Sequence, residues 1–176
     1  MSSIVVSLND TAILQQGYMV IVPTHNASNI PSLMTITYKR DEPVNLDQFI
    51  ALYHSCTLGA RRPLDDRAIA AQMQQHGNLQ ITAWDNDLLV GISRSLTDFG
   101  YVCYLADLAI RDSHQKMGIG LELIQLTRAA LGPRAMIVLL AAPQAVDYYP
   151  KIGFTRHESA WILKAGEPLT APNKNN

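Results

Sequence analysis

Cysteine is scarce: only Cys56 and Cys103 occur in 176 residues. The two form neither a metal-ligand spacing nor a disulfide framework, and their apolar or helical neighbours predict buried free thiols in a reducing compartment. No sign of charge is in surplus either. Fourteen Lys and Arg stand against 15 Asp and Glu, a net charge of -1, which removes the electrostatic grip needed for nucleic acid. Long hydrophobic runs are also missing. The longest, residues 135–142, is far below the ~20 residues that cross a bilayer. These absences predict a soluble cytoplasmic protein with no nucleic-acid, membrane or metal partner. What is present, 48% apolar residues over this length, suits one globular domain with a sizeable core.

The first 33 residues lack charge almost entirely. Asp10 is their single charged side chain, and they hold no Lys or Arg. Without a positive n-region, and with an apolar core shorter than a secretory signal needs, this is not a signal peptide. The T-H-N-A-S-N-I-P-S run reads as a linker. At Met34 charge density rises and apolar alternation begins. Residues 1–33 are therefore expected to be an appendage, either an upstream extension or a strand used in self-association. The functional domain is expected over 34–164, with a frayed tail over 165–176.

Residues 104–120, Y-L-A-D-L-A-I-R-D-S-H-Q-K-M-G-I-G, carry the sharpest signal. Leu105, Leu108, Ala109 and Ile110 read as a buried strand. Polar turn residues follow, then Gln115-Lys116-Met117-Gly118-Ile119-Gly120, then the helical pattern of Leu121, Leu123, Ile124 and Leu126. A strand feeding a glycine-bearing turn that opens a helix builds an anion site. The first helical N–H groups have no intrahelical partner, and the dipole adds positive character there. A phosphate-bearing cofactor is the expectation. A dinucleotide-binding βαβ unit is excluded, because it needs the glycine turn after the first strand of a parallel series. Here antiparallel strands precede it.

Elsewhere, residues 35–38 alternate as a strand. Asn45 is a helix N-cap with Gln48 as its capping-box partner, and Phe49, Leu52, Tyr53 and Cys56 line one helical face. Asp65 or Asp66 caps a second helix through about Gln75. Residues 79–84 and 88–96 are strands joined at Asp85-Asn86-Asp87. Residues 135–142 are apolar throughout, as a central strand covered on both faces would be. A helix over 144–151 and one or two closing strands over 154–163 complete the chain. The expected fold is mixed α/β (α+β): a central, mostly antiparallel sheet of about six to seven strands flanked by about four helices.

The stretch Ala142-Pro143-Gln144-Ala145-Val146-Asp147-Tyr148-Tyr149-Pro150-Lys151-Ile152-Gly153-Phe154 resembles the helix-to-strand signature of the GNAT (GCN5-related N-acetyltransferase) superfamily. Ala145, Tyr149, Gly153 and Phe154 fall at its spacing. Gln115, Gly118 and Gly120 match the family's Gln/Arg-x-x-Gly-x-Gly/Ala turn with nothing inserted. The two motifs stand in the family's order with a strand between them, and the resemblance covers residues 34–163. It implies acetyl-CoA as co-substrate, with the pyrophosphate over Gln115, Lys116, Met117, Gly118, Ile119 and Gly120. Backbone groups of Leu108 and Ile110 would pair with the pantetheine arm.

The implied reaction is direct attack of an amine on the thioester, so no protein nucleophile is required. The resemblance assigns Tyr149 as proton donor to the departing thiolate; a phenol (pKa about 10) is close enough to a thiol to serve. Asp107, a carboxylate inside an apolar strand, is the first candidate for the base, with Asp98 and Glu158 behind it. One position departs from the family: Ala142 stands where asparagine is frequent. The acceptor would be a small-molecule or peptide amine met by residues 45–75 and the loop near Asp98, whose charge is mixed, and a homodimer would be in keeping with the family. The competing function is a non-catalytic acyl-CoA sensor or scaffold.

Overall fold

The computed structural model describes residues 35–171, together with the backbone of two strands, β1 (Asp10–Gln15) and β2 (Tyr18–Pro23). These two pair antiparallel with each other. The linker expected before Met34 and the last five residues of the tail lie outside the described residues.

Five strands make the main sheet: β3 (Ile36–Arg40), β4 (Leu79–Asp85), β5 (Leu88–Thr97), β6 (Val102–Ile110) and β7 (Met136–Val138). They lie side by side in chain order, antiparallel from β3 to β6, with β7 parallel to β6. Helices α1 (Leu46–His54) and α2 (Arg67–His76) cover one face, and α3 (Ile119–Ala129) covers the other. This is the mixed, mostly antiparallel α/β fold expected, but among the described residues the main sheet has five strands rather than six to seven, and there are three α-helices rather than four.

The layers follow from side-chain periodicity. Phe49, Leu52 and Tyr53 form the buried stripe of α1 and pack against Trp84, Leu89 and Ile92. Ile119 and Leu123 of α3 pack against Leu79, Ile81 and Val90 on the opposite face. Strict alternation would put Val90 with Ile92. The register steps by one between Ala83–Gly91 and Trp84–Leu89, and this bulge turns Val90 to the α3 side. Each fully buried side chain of this size contributes ~1.5–3 kcal/mol.

Caps fix where the helices begin. The Asn45 Oδ1 accepts from the Asp47 amide at 2.8 Å, while Gln48 forgoes the capping box and donates to the Asp87 carbonyl at 3.1 Å. Asp66, rather than Asp65, caps α2 by accepting from the Ala68 and Ile69 amides.

Three expected elements differ. Residues 135–142 yield only the three-residue edge strand β7, with Met136 and Val138 partly exposed. Its partner β6 carries a bulge that turns it away, and the parallel ladder stops at Tyr104–Val138. The expected helix over 144–151 is instead two 3-10 turns, Pro143–Ala145 and Tyr149–Ile152. Amides of Ala145, Tyr148, Lys151 and Gly153 donate to carbonyls three residues back. The Pro150 ring removes one donor and clashes with the carbonyl four residues earlier, so an α-helix cannot run through it. Residues 154–163 form no strand: five polar residues, 155–159, interrupt the apolar face, and Trp161 is 94% exposed. Among the described residues, no helix is long and apolar enough to cross a membrane.

Asp98 organises the β5–β6 turn. One oxygen accepts from the Gly100, Tyr101 and Val102 amides at 2.8–3.0 Å, and these donors, Tyr101 foremost, hold its carboxyl below the ordinary carboxylate range. The native value is the lower one, so the anchoring is complete above the unfolded value of about 3.9 and is lost as pH falls through the native value. We expect Asp98→Ala at neutral pH to deprotect the Tyr101 and Val102 amides in hydrogen exchange. Wild-type protection should persist until the pH drops below the usual aspartate range; unchanged protection in the variant would refute this account of the turn.

Candidate active site

The candidate cleft lies where β6 and β7 part. Beyond Tyr104–Val138 the two strands no longer pair, and residues 105–108 face 139–140 across an opening also lined by Arg61, Arg62 and Tyr149. The bulge that opens it is explicit in the register. Arg94 pairs with Asp107 and Ser95 with Leu105, which leaves Ala106 as the extra residue. The Ala106 carbonyl is held by Arg62 Nη2 at 2.9 Å.

Asp107 sits behind this bulge with its side chain fully buried. Its Oδ1 accepts from Arg62 Nε at 2.6 Å and meets Arg62 Nη2 at 2.5 Å. Its Oδ2 accepts from Arg94 Nε at 2.6 Å and from the Tyr53 hydroxyl at 2.9 Å. Burial, then the Asp107 charge, push the Tyr53 phenol well above its ordinary value, so it remains a donor. With three hydrogen-bond donors and the Arg62 Nη2 ion-pair contact on its two oxygens, the buried Asp107 carboxylate is enclosed by protein. The expected proton acceptor is here the centre of an ionic cluster. Asp98 is likewise engaged by backbone amides, and Glu158 is exposed on the irregular segment after the cleft.

The cleft edge of β6 can be read from its neighbours. Arg111 donates its amide to the Val90 carbonyl, toward β5, at 2.8 Å. Backbone groups alternate along a strand, so those of Ile110 and Leu108 point to the open side. Accordingly, the Ile110 carbonyl accepts from the Gln115 side chain at 3.3 Å. That same Gln115 amide donates to Asp112 at 2.7 Å, fixing the start of the turn.

Lys116 and Gly118 both adopt left-handed φ, 63° and 82°, with Met117 between them. Alternation of this kind turns successive N–H groups toward one concavity, an anion nest. The first bond within α3 runs from the Glu122 amide to the Gly118 carbonyl, so the Ile119, Gly120 and Leu121 amides have no helical partner. A Cβ on Gly118 would meet nothing within 4 Å; its φ and the open ground above it are the constraint. A Cβ on Gly120 would lie 3.3 Å from Ile110 Cδ1 and 3.6 Å from the Tyr148 hydroxyl. His114 braces the turn from below, bonded to Ser113 and 3.4 Å from Asp85 at the β4–β5 turn.

The two tyrosines divide. Tyr148 reaches toward Gly120, while Tyr149 lines the cleft. Edge-on ring contacts at 5.4 Å link Tyr149 to both Tyr148 and Phe154. Burial, then the neighbouring Tyr148, raise the Tyr149 phenol above its ordinary value.

The acetyltransferase (GNAT) domain model matches residues 60–170, most of the chain. The chain belongs to the GNAT acetyltransferase family. A curated relative, the uncharacterised N-acetyltransferase ycf52 of Pyropia yezoensis, is 35% identical over 75 residues. That match spans 40% of this chain and 42% of the relative's length. Among solved structures, a GNAT-family acetyltransferase from Streptococcus pneumoniae shares the fold at TM-score 0.57 and 24% identity, covering 74% of this chain and 99% of that one. An aminoglycoside N-acetyltransferase solved with CoA shares it at TM-score 0.59 and 16% identity, covering 77% of this chain and 98% of that one.

Within this GNAT fold, Leu108 and Tyr149 line the cleft, Gly120 lies beside Ile110 and Leu108, and Gln115 bonds to the Ile110 carbonyl. Tyr53 and Arg62 fall within the 45–75 region expected to meet the acceptor but were not expected as partners of Asp107, and Arg94 was not expected at all. The signal for Arg94 is the β5–β6 hairpin, whose register sets it opposite Asp107. We expect Asp107→Ala to cost about 3–5 kcal/mol, because it strands buried guanidinium charge. Chemical denaturation should show a large fall in midpoint, and a variant of wild-type stability would refute the cluster's structural role. Gly118→Ala should cost about 1–2 kcal/mol through its left-handed φ alone.

Proposed function

We propose that the protein is an acetyl-CoA-dependent N-acetyltransferase that moves an acetyl group directly to an amine of a small-molecule or peptide acceptor. The observation that carries this reading is the joining of an anion nest to an open strand edge. The nest over Lys116, Met117 and Gly118, with the free amides of Ile119 and Gly120, suits a pyrophosphate. Gln115 steadies that turn. The edge presented by Leu108 and Ile110 suits the amide-bearing arm, as an added strand would be held. Acetyl-CoA supplies an activated acetyl thioester.

Each step of the proposed chemistry falls to groups already placed. Backbone N–H groups of β6 polarise the carbonyl, an oxyanion-type contribution fixed before the reaction begins. Tyr149 stays protonated through neutral pH and donates to the departing sulfur. Asp107, the carboxylate at the cleft, is enclosed by three hydrogen bonds and an ion-pair contact and is not free to take the amine's proton. We therefore assign that proton to water in the cleft, and to Asp107 a positioning role through Arg62. Ala142 brings no side-chain amide to the cleft it lines, which leaves orientation of the thiol end to Tyr149.

Calorimetry with acetyl-CoA, desulfo-CoA and NAD tests the cofactor reading: both CoA species should bind and NAD should not. Tyr149→Phe should lower kcat about 100-fold while leaving acetyl-CoA affinity nearly unchanged. Because the phenol is raised, loss of kcat from its ionisation should set in at higher pH than for an ordinary phenol. Unaltered turnover in Tyr149→Phe would remove the residue from the mechanism. Binding of CoA without transfer to any amine would favour a non-catalytic acyl-CoA sensor.

A further inference from the structure

The charges of the acceptor side are not mixed once their partners are assigned. Asp47 pairs with Arg67 at 2.6 Å, outside the cleft. Asp66 is turned to the α2 amides, and Asp65 is exposed and does not line the cleft. The charged residues at the opening are Arg61, Arg62 and Asp107, and the Asp107 carboxylate is buried behind the wall. Asp107 is shared by Arg62 and Arg94, two cations on one carboxylate. Arg62 is 23% exposed and is held by Asp107 and by the Arg61 and Ala106 carbonyls. Arg61 is exposed and makes no ion pair or side-chain hydrogen bond among the described residues. The opening beside Tyr149 therefore carries positive charge in excess, with one guanidinium wholly available.

We propose that the acceptor is an amine bearing a carboxylate, an amino acid or an acidic short peptide, and that Arg61 binds that carboxylate. This rests on the acetyl-transfer reading and narrows its substrate class. A guanidinium fork matches a carboxylate in a bidentate, charge-assisted geometry. The excess field of Arg62 and Arg94 adds to the attraction, and it repels polyamines and other polycations. Arg62, fixed by Asp107 at the bulge, shapes the wall; Arg61 supplies the contact.

The test compares amines presented as free acids and as their carboxamides, using the full chain. Thiol release reports transfer, and calorimetry in the presence of desulfo-CoA reports acceptor binding without turnover. Free acids should exceed their amides about tenfold in kcat/KM, mainly through KM, and the preference should shrink with added salt. Arg61→Gln should bring the acid-to-amide ratio close to one, and Arg61→Lys should keep part of it. Transfer to neutral or cationic amines with no preference for acids overturns this inference and leaves acetyl transfer standing. Acid-selective binding without transfer supports the carboxylate site and overturns the transfer reading. Neither transfer nor acid-selective binding overturns both. Weakened acetyl-CoA binding in Arg61→Gln, with the acid preference intact, assigns Arg61 to the cofactor and overturns the proposal.

Discussion

The buried carboxylate of Asp107 is the interaction on which the rest of the structure turns. It joins elements that the chain brings from far apart: Tyr53 from α1, Arg62 from the connection between α1 and α2, and Arg94 from β5. A charge this deep is tolerated only when its oxygens are fully occupied, and here they are. In return the cluster pins the first two helices to the sheet beside Ala106, the point where β6 leaves β7. The cleft is thus held open by ion pairs behind its wall.

A second layer of order surrounds the glycine turn. The groups proposed to meet an anion are backbone amides, so their geometry depends on what braces the turn: Gln115 on Asp112 and Ile110, and His114 on Asp85 and Ser113. On the far side, Ser93 and Thr127 share a buried hydrogen bond at 2.7 Å that ties α3 to β5. The helix opened by the glycine turn is therefore anchored near its other end within the core. Rigid support of this kind is what lets a site made of main-chain dipoles act without reorganising.

Much of this arrangement could be read in the amino-acid sequence, because local periodicity carries it. The stripe of α1, the Asp66 cap, the β4–β5 hairpin and the strand–turn–helix around Gly118 are short-range features. They depend on residues within one or two turns of each other. The glycine turn was legible for the same reason, whereas Tyr149 was singled out by the family resemblance. What was not legible depends on register and competition. A one-residue bulge at Ala106 ended the β6–β7 ladder and reduced an eight-residue apolar run to a three-residue strand. Pro150 outweighed a helical pattern. Asp107 looked unpaired because its partners lie 13, 45 and 54 residues away.

An exposed strand edge is ordinarily a hazard, since its free amides template pairing with another chain. The edge of β6 is different because it opens from a closed vertex at Tyr104–Val138, with residues 139–140 on the opposite bank. A polypeptide strand aligned with β6 needs about 4.8 Å of clearance to its neighbour along its whole length. Toward the vertex the diverging banks deny it that space. The wedge shape thus keeps main-chain hydrogen-bonding groups accessible to a slender molecule while denying them to a full β-strand. The same divergence that makes room in the sheet guards this stretch of the β6 edge against intermolecular strand addition.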